Sequence, residues 1–178
     1  MSRKSTQIAL GGMFSALSLV LMFMTGMIPF ATYAMPAMAG AMLIPVMVEN
    51  GRKAALMVYV TVGLLSVFVV PDREAALMFI AFFGYYPVLK ISLDGIRAAF
   101  ARRLLKIGLF NVMIVGAYLV ALFVLGLPNM AVDMGDLGKY SALVMLALGN
   151  VVFLIYDFAL ARYVRLYINW FKPTFLRR

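Results

Sequence analysis

The sequence predicts an all-α membrane protein, a single bundle of about six transmembrane helices with both termini in the cytoplasm. Three observations predict it. Hydrophobic residues make up 65% of the 178 positions, charged residues only 13%, and the apolar residues fall into six long runs separated by polar or turn-rich breaks. Soluble domains run at ~45–50% apolar and ~25% charged. A soluble fold of this length cannot hide so much apolar surface, whereas a bilayer accepts it.

The first run, residues 8–28, closes at Pro29. Ser2-Arg3-Lys4 ahead of it resembles the start of a secretory signal. The apolar stretch outlasts a typical h-region of ~7–15 residues and further spans follow, so it is expected to stay as a helix. The second run, 34–48, carries Pro36 and Pro45 and stops at Glu49-Asn50-Gly51-Arg52-Lys53. Crossing a ~30 Å hydrocarbon core takes ~20 helical residues, so this run is short for a straight span. It is expected to be kinked or to begin as irregular backbone buried by its neighbours. The third run, 54–70, meets Pro71-Asp72-Arg73-Glu74, where Asp72 reads as a helix cap and Glu74 favours the helix dipole. The fourth, 75–93, holds Phe82-Phe83-Gly84-Tyr85-Tyr86-Pro87. Pro87 cannot donate to the Phe83 carbonyl, which predicts a kink, with Gly84 allowing close packing beside it. The segment Asp94–Lys106 is expected to extend this helix amphipathically, with Arg97, Arg102, Arg103 and Lys106 toward lipid headgroups. The fifth run is 107–127 and the sixth 140–161, and residues 162–178 form a basic, aromatic tail.

Lys and Arg residues give the orientation. Fourteen of the sixteen fall on the side of the termini, leaving only Arg73 and Lys139 opposite. That asymmetry places both ends inside and requires an even number of crossings. It also accounts for the net charge of +9, so no nucleic-acid partner is expected.

Catalytic groups are scarce. The chain has no His and no Cys, which removes imidazole and thiol chemistry and thiolate metal sites. Gly11-Gly12 lies inside a helix and is no phosphate loop. No enzyme activity, cofactor or metal is expected. Three other groups stand out. Ala9, Gly12 and Ala16 form a stripe of small residues on the first helix, suited either to packing within the bundle or to a partner helix. Lys90, Asn111 and Asp157 lie at one depth on three helices and suggest a polar clasp, with ion or proton coupling as the alternative. Thr32, Tyr33, Asp72, Arg73, Glu74, Asn129, Asp133, Asp136 and Lys139 lie in the outer loops, either as ordinary solvated residues or as ligand contacts. Of these, Tyr33, Arg73 and Glu74 are the expected solute-binding residues, with Tyr85 and Asn150 from below; an aromatic face with a few polar groups is what a small-molecule pocket offers.

Six short helices, both ends inside, a long apolar first loop and the Ala9/Gly12/Ala16 stripe together resemble the S components of energy-coupling factor transporters, the substrate-capturing membrane subunits of vitamin importers. The resemblance implies a bacterial cell-membrane location and a vitamin-like or other small solute held near the outer face. It also implies a transmembrane T subunit against the stripe and ATP hydrolysis by separate subunits. No vitamin-specific motif accompanies it. Two rival readings from the residues are a scaffolding protein whose basic tail docks cytoplasmic partners, and a small autonomous channel or carrier.

Overall fold

The computed structural model describes residues 3–27, 31–123 and 141–171. Almost all of these are helical and none of them is in a strand. In chain order the helices are α1 (Arg3–Phe23), followed by a 3₁₀ turn at Met24–Gly26, then α2 (Ala34–Ala41), α3 (Leu43–Asn50), α4 (Arg52–Val69), α5 (Arg73–Met78), a π-turn (Phe79–Phe83), α6 (Tyr86–Asp94), α7 (Ala99–Phe123) and α8 (Ser141–Leu166), which ends in a second π-turn (Tyr167–Phe171). Among the described residues, five stretches are long and apolar enough to cross a membrane: Ser5–Gly26, Arg52–Val69, Arg73–Asp94, Ala99–Val120 and Leu143–Trp170.

The run expected as the second span is broken into α2 and α3. Pro36 and Pro45 each occupy the third position of their helix, where a missing N–H costs no intrahelical bond. Pro45 also leaves the Ala41 carbonyl without its i+4 donor, and the break falls at Met42. Together Ala34–Asn50 reach roughly 25 Å at 1.5 Å per residue.

The kink expected at Pro87 is a more elaborate event. The Gly84 N–H bonds the Phe79 carbonyl at 2.8 Å, five residues back, which makes the π-turn, and α6 restarts with Pro87 in its first turn. The Phe83 carbonyl that Pro87 cannot serve is covered by α2: a Cβ on Gly40 would overlap that oxygen and sit 2.8 Å from its carbon. Only glycine lets the two backbones meet there. On the other side of the turn, a Cβ on Gly84 would come within 2.5 Å of the Tyr59 ring.

The segment Asp94–Lys106 does not extend the preceding helix, contrary to expectation. The chain turns at Gly95, with Gly95 N–H bonded to the Ser92 carbonyl at 3.3 Å and Ile96 N–H to that of Leu93 at 3.1 Å. Residues from Ala99 onward begin α7. The first ten residues assigned to the tail likewise continue α8 and its π-turn.

Two apolar clusters result, sharing the α5–π-turn–α6 segment. One gathers Phe14, Met22, Leu43, Val58, Val62, Phe79 and Val88 from α1 to α6. The other gathers Ile44, Phe82, Tyr86, Phe110, Phe153 and Leu160, and joins α7 and α8 to the centre. Half of the central Arg73–Asp94 span is buried, against 11% of Leu143–Trp170, so the central segment is the axis of the bundle.

Candidate functional site

The first site is a charged cluster where α6, α7 and α8 meet. Lys90 Nζ lies 2.5 Å from Asp157 Oδ1 and 3.2 Å from Asp94 Oδ2. Lys106 Nζ lies 2.6 Å from Asp94 Oδ1 and 3.1 Å from Asp157 Oδ1. The Tyr86 hydroxyl donates to Asp157 Oδ1 at 2.6 Å. The lysine side chains are 3% and 7% exposed, so neither reaches outward as a snorkelling lysine does. Lys106 was expected among the headgroups. The turn at Gly95 instead folds it back, so that its ammonium bridges the acid ending α6 and the acid on α8.

The cluster holds two ammonium groups and two carboxylates, and each carboxylate touches both lysines. Its formal charge is zero. A charge-balanced, mutually bonded set is the form in which ionised groups are tolerated at depth. Because every carboxylate is already doubly engaged, the arrangement favours a clasp over a cation pathway. Above it lies an aromatic stack: Phe82 on Tyr86 with centroids 4.7 Å apart, and Phe110 on Phe153 at 4.8 Å.

Asn111 does not join the charged cluster. Its amide pairs reciprocally with Asn150, at 3.1 and 2.8 Å. Lys106–Asp157 and Asn111–Asn150 are successive rungs between antiparallel helices: five residues forward on α7 match seven back on α8. Asn111 is one rung too deep, and Lys106 takes the place expected of it. The sequence held a signal for this: Asp94 stands alone among the cations Lys90, Arg97, Arg102, Arg103 and Lys106, four residues after Lys90, the spacing of a helical ion pair.

The second site is the opposite end. Asp72 caps α5, its Oδ1 accepting from Ala75 N–H at 3.0 Å. A Cβ on Gly26 would stand 3.1 Å from Pro71, which shows how closely the end of α1 rests on the turn before α5. Tyr33 lies at the same edge, within electrostatic reach of Glu74 and Asp72. Its ring is half exposed, and its phenol is pushed above the ordinary value, first by desolvation and then by the carboxylates of Glu74 and Asp72. The hydroxyl therefore stays protonated and able to donate. Arg73 is exposed beside them and forms no ion pair among the described residues.

The other two expected solute contacts lie elsewhere. Tyr85 is twelve residues beyond Arg73, roughly 18 Å along the helix, packed edge-on against Tyr59 and Phe82. Its hydroxyl is buried without a hydrogen-bond partner among the described residues. Asn150 donates to Asn111 and to the Leu146 carbonyl, so its amide is committed between helices. Asn129, Asp133, Asp136 and Lys139 lie outside the described residues. On α1, Ala9, Gly12 and Ala16 all face outward, and a Cβ on Gly12 would meet nothing within 4 Å. Their neighbours Phe14, Ser18 and Met22 are the ones that enter the core. No protein-family model, curated protein or solved structure matches the chain.

Proposed function

We propose that this protein is the solute-capturing membrane subunit of a multi-subunit importer in a bacterial cytoplasmic membrane, akin to the S components of energy-coupling factor transporters. In this reading six segments cross the bilayer, α2 and α3 together forming the short second one, and both termini are cytoplasmic. One observation carries the assembly: α1 leaves Ala9, Gly12 and Ala16 uncovered, between the exposed bulky side chains of Ile8, Met13, Leu17 and Val20. A shallow furrow of this kind admits a second helix at close range, because association within lipid rests on van der Waals contact between small residues. A T subunit would lie there, with ATP hydrolysis in further subunits.

Solute capture falls to the outer edge, where Tyr33 offers a donor and an aromatic face, Glu74 an acceptor and Arg73 a guanidinium without an ion pair among the described residues, suited to a carboxylate or phosphate. Mass spectrometry of the gently purified protein tests both halves at once. The expected result is a bound small solute together with membrane and ATPase subunits. Purification as a lone polypeptide without ligand, from cells grown in a medium that supplies vitamins and other small solutes, would overturn the proposal. Arg73→Ala is expected to weaken solute binding by about ten- to a hundred-fold, the loss of one charge-assisted hydrogen bond, with folding unchanged.

A further inference from the structure

The end of α8 carries a feature that solute capture does not use. The stretch Leu143–Trp170 is 28 residues long, roughly 42 Å of helix against a hydrocarbon core of about 30 Å. Up to Ala161 its only charged residue is Asp157, and the first arginines follow at Arg162 and Arg165. The surplus length therefore emerges at this end, and Arg162 onward sits at headgroup depth.

There, Arg162, Arg165, Leu166, Asn169 and Trp170 line a shallow, widely open concavity of about 440 Å³. Two local devices shape it. The Arg162 guanidinium is held over the Phe158 ring, 4.8 Å from its centroid, and Arg165 Nε bonds the Ala161 carbonyl at 3.2 Å. Both side chains are thus oriented, while their terminal N–H groups have no hydrogen-bond partner among the described residues. The π-turn Tyr167–Phe171 is the second device. Each residue of a π-turn advances less around the axis than in an α-helix, so Trp170 falls back toward the face that Asn169, four residues after Arg165, already shares with the arginines. Such turns recur at functional positions. No acidic side chain lines the concavity among the described residues.

We propose that this concavity is a binding site for the headgroup of an anionic phospholipid. The two guanidiniums bond the phosphodiester oxygens, a geometry arginine serves better than lysine. The Asn169 amide reaches the polar headgroup substituent, Trp170 sits at the interface where its amphipathic ring is favoured, and Leu166 lies along the first methylenes. Charge and depth both select lipid as the occupant, since the site lies in the layer where lipid phosphates are concentrated.

Trp170 is the only tryptophan in the chain, so its fluorescence reports on this site alone. The protein is reconstituted in phosphatidylcholine vesicles containing a small fraction of brominated phosphatidylglycerol or, in parallel, the same fraction of brominated phosphatidylcholine. Stronger quenching by the anionic lipid is expected. Arg165→Gln should cut that preference by about five-fold and Arg162→Gln/Arg165→Gln further, following the usual contribution of one cation near a lipid surface. Arg165→Lys should lose part of the preference although the charge is kept. Equal quenching by the two lipids in the unaltered protein would overturn the proposal, as it would if a cytoplasmic protein were the occupant. Full preference retained by Arg165→Lys would also overturn it, leaving a diffuse basic surface instead of a shaped site. The first comparison needs no variant, and Arg165 is exposed, so a folding failure cannot mask the answer.

Discussion

The two halves of this bundle are joined to the same central segment by different means. On the side of α1 to α4, backbones approach through small residues: Gly40 lies on the Phe83 carbonyl and Gly84 beneath the Tyr59 ring. On the side of α7 and α8, ion pairs and ring contacts make the joint: Lys90–Asp157, Lys106–Asp94, and Phe82 against Phe110 and Phe153. Lipid tails are as apolar as leucine, so burying apolar area does not itself drive helices together in a bilayer. Close packing and interhelical hydrogen bonds remain; close packing leads on the first side, where the Tyr59 hydroxyl also donates to the Ile80 carbonyl at 2.7 Å, and ionic contacts lead on the second. Close packing tolerates no added atom, whereas a polar joint tolerates added volume but not a lost partner.

The largest effect is expected where backbones touch. Gly40→Ala puts a methyl group into the Phe83 carbonyl, and neither side is a flexible chain end that can yield. A loss of about 3 kcal/mol, the upper end for overpacking, should appear as a large fall in the melting temperature of the detergent-solubilised protein. A change below about 0.5 kcal/mol would mean that the two helices are not in contact.

Next comes the charged joint. Asp157→Asn leaves two lysines and the Tyr86 hydroxyl sharing a neutral amide. Because the Asp157 side chain is 21% exposed, water softens the loss to about 2 kcal/mol, below the 3–5 of a fully buried pair. Lys106→Met is expected to be at least as costly as Lys90→Met if both lysines are structural. A Lys106→Met variant as stable as the parent would return that residue to the headgroup role its sequence context suggests. The smallest effect belongs to the amide rung. The coupling energy of Asn111→Ala with Asn150→Ala in a double-mutant cycle should be about 0.6 kcal/mol, the average for such bonds between membrane helices.

Legibility in the sequence followed the same division. The apolar runs, the cap at Asp72, the disturbance at Pro87 and the proximity of Lys90 and Asp157 could all be read, because each depends on local chemistry or on depth along one helix. The partners of Gly40 and Gly84 could not, since a glycine does not reveal which neighbour approaches it. Lys106 was placed among the headgroups because a basic amphipathic pattern reads the same whether the chain continues or turns back. The turn at Gly95 decides between the two. Tyr85 and Asn150 were expected to reach the solute from below; helical rise separates Tyr85 from Arg73, and Asn150 is committed to Asn111 and the Leu146 carbonyl.

The outward face of α1 has the same kind of small residues as the inner joint, but no described residue covers them. Opposite outcomes are therefore expected for the same kind of substitution at Gly40 and Gly12, and the most direct measurement concerns Gly12→Leu. The variant is purified alongside the parent protein, its melting temperature is recorded, and the co-purifying membrane subunit is quantified per folded molecule. An unchanged melting temperature with loss of the co-purifying subunit is the predicted result. Full retention of the subunit, or unfolding of the isolated variant, would contradict a partner helix docked on Ala9, Gly12 and Ala16.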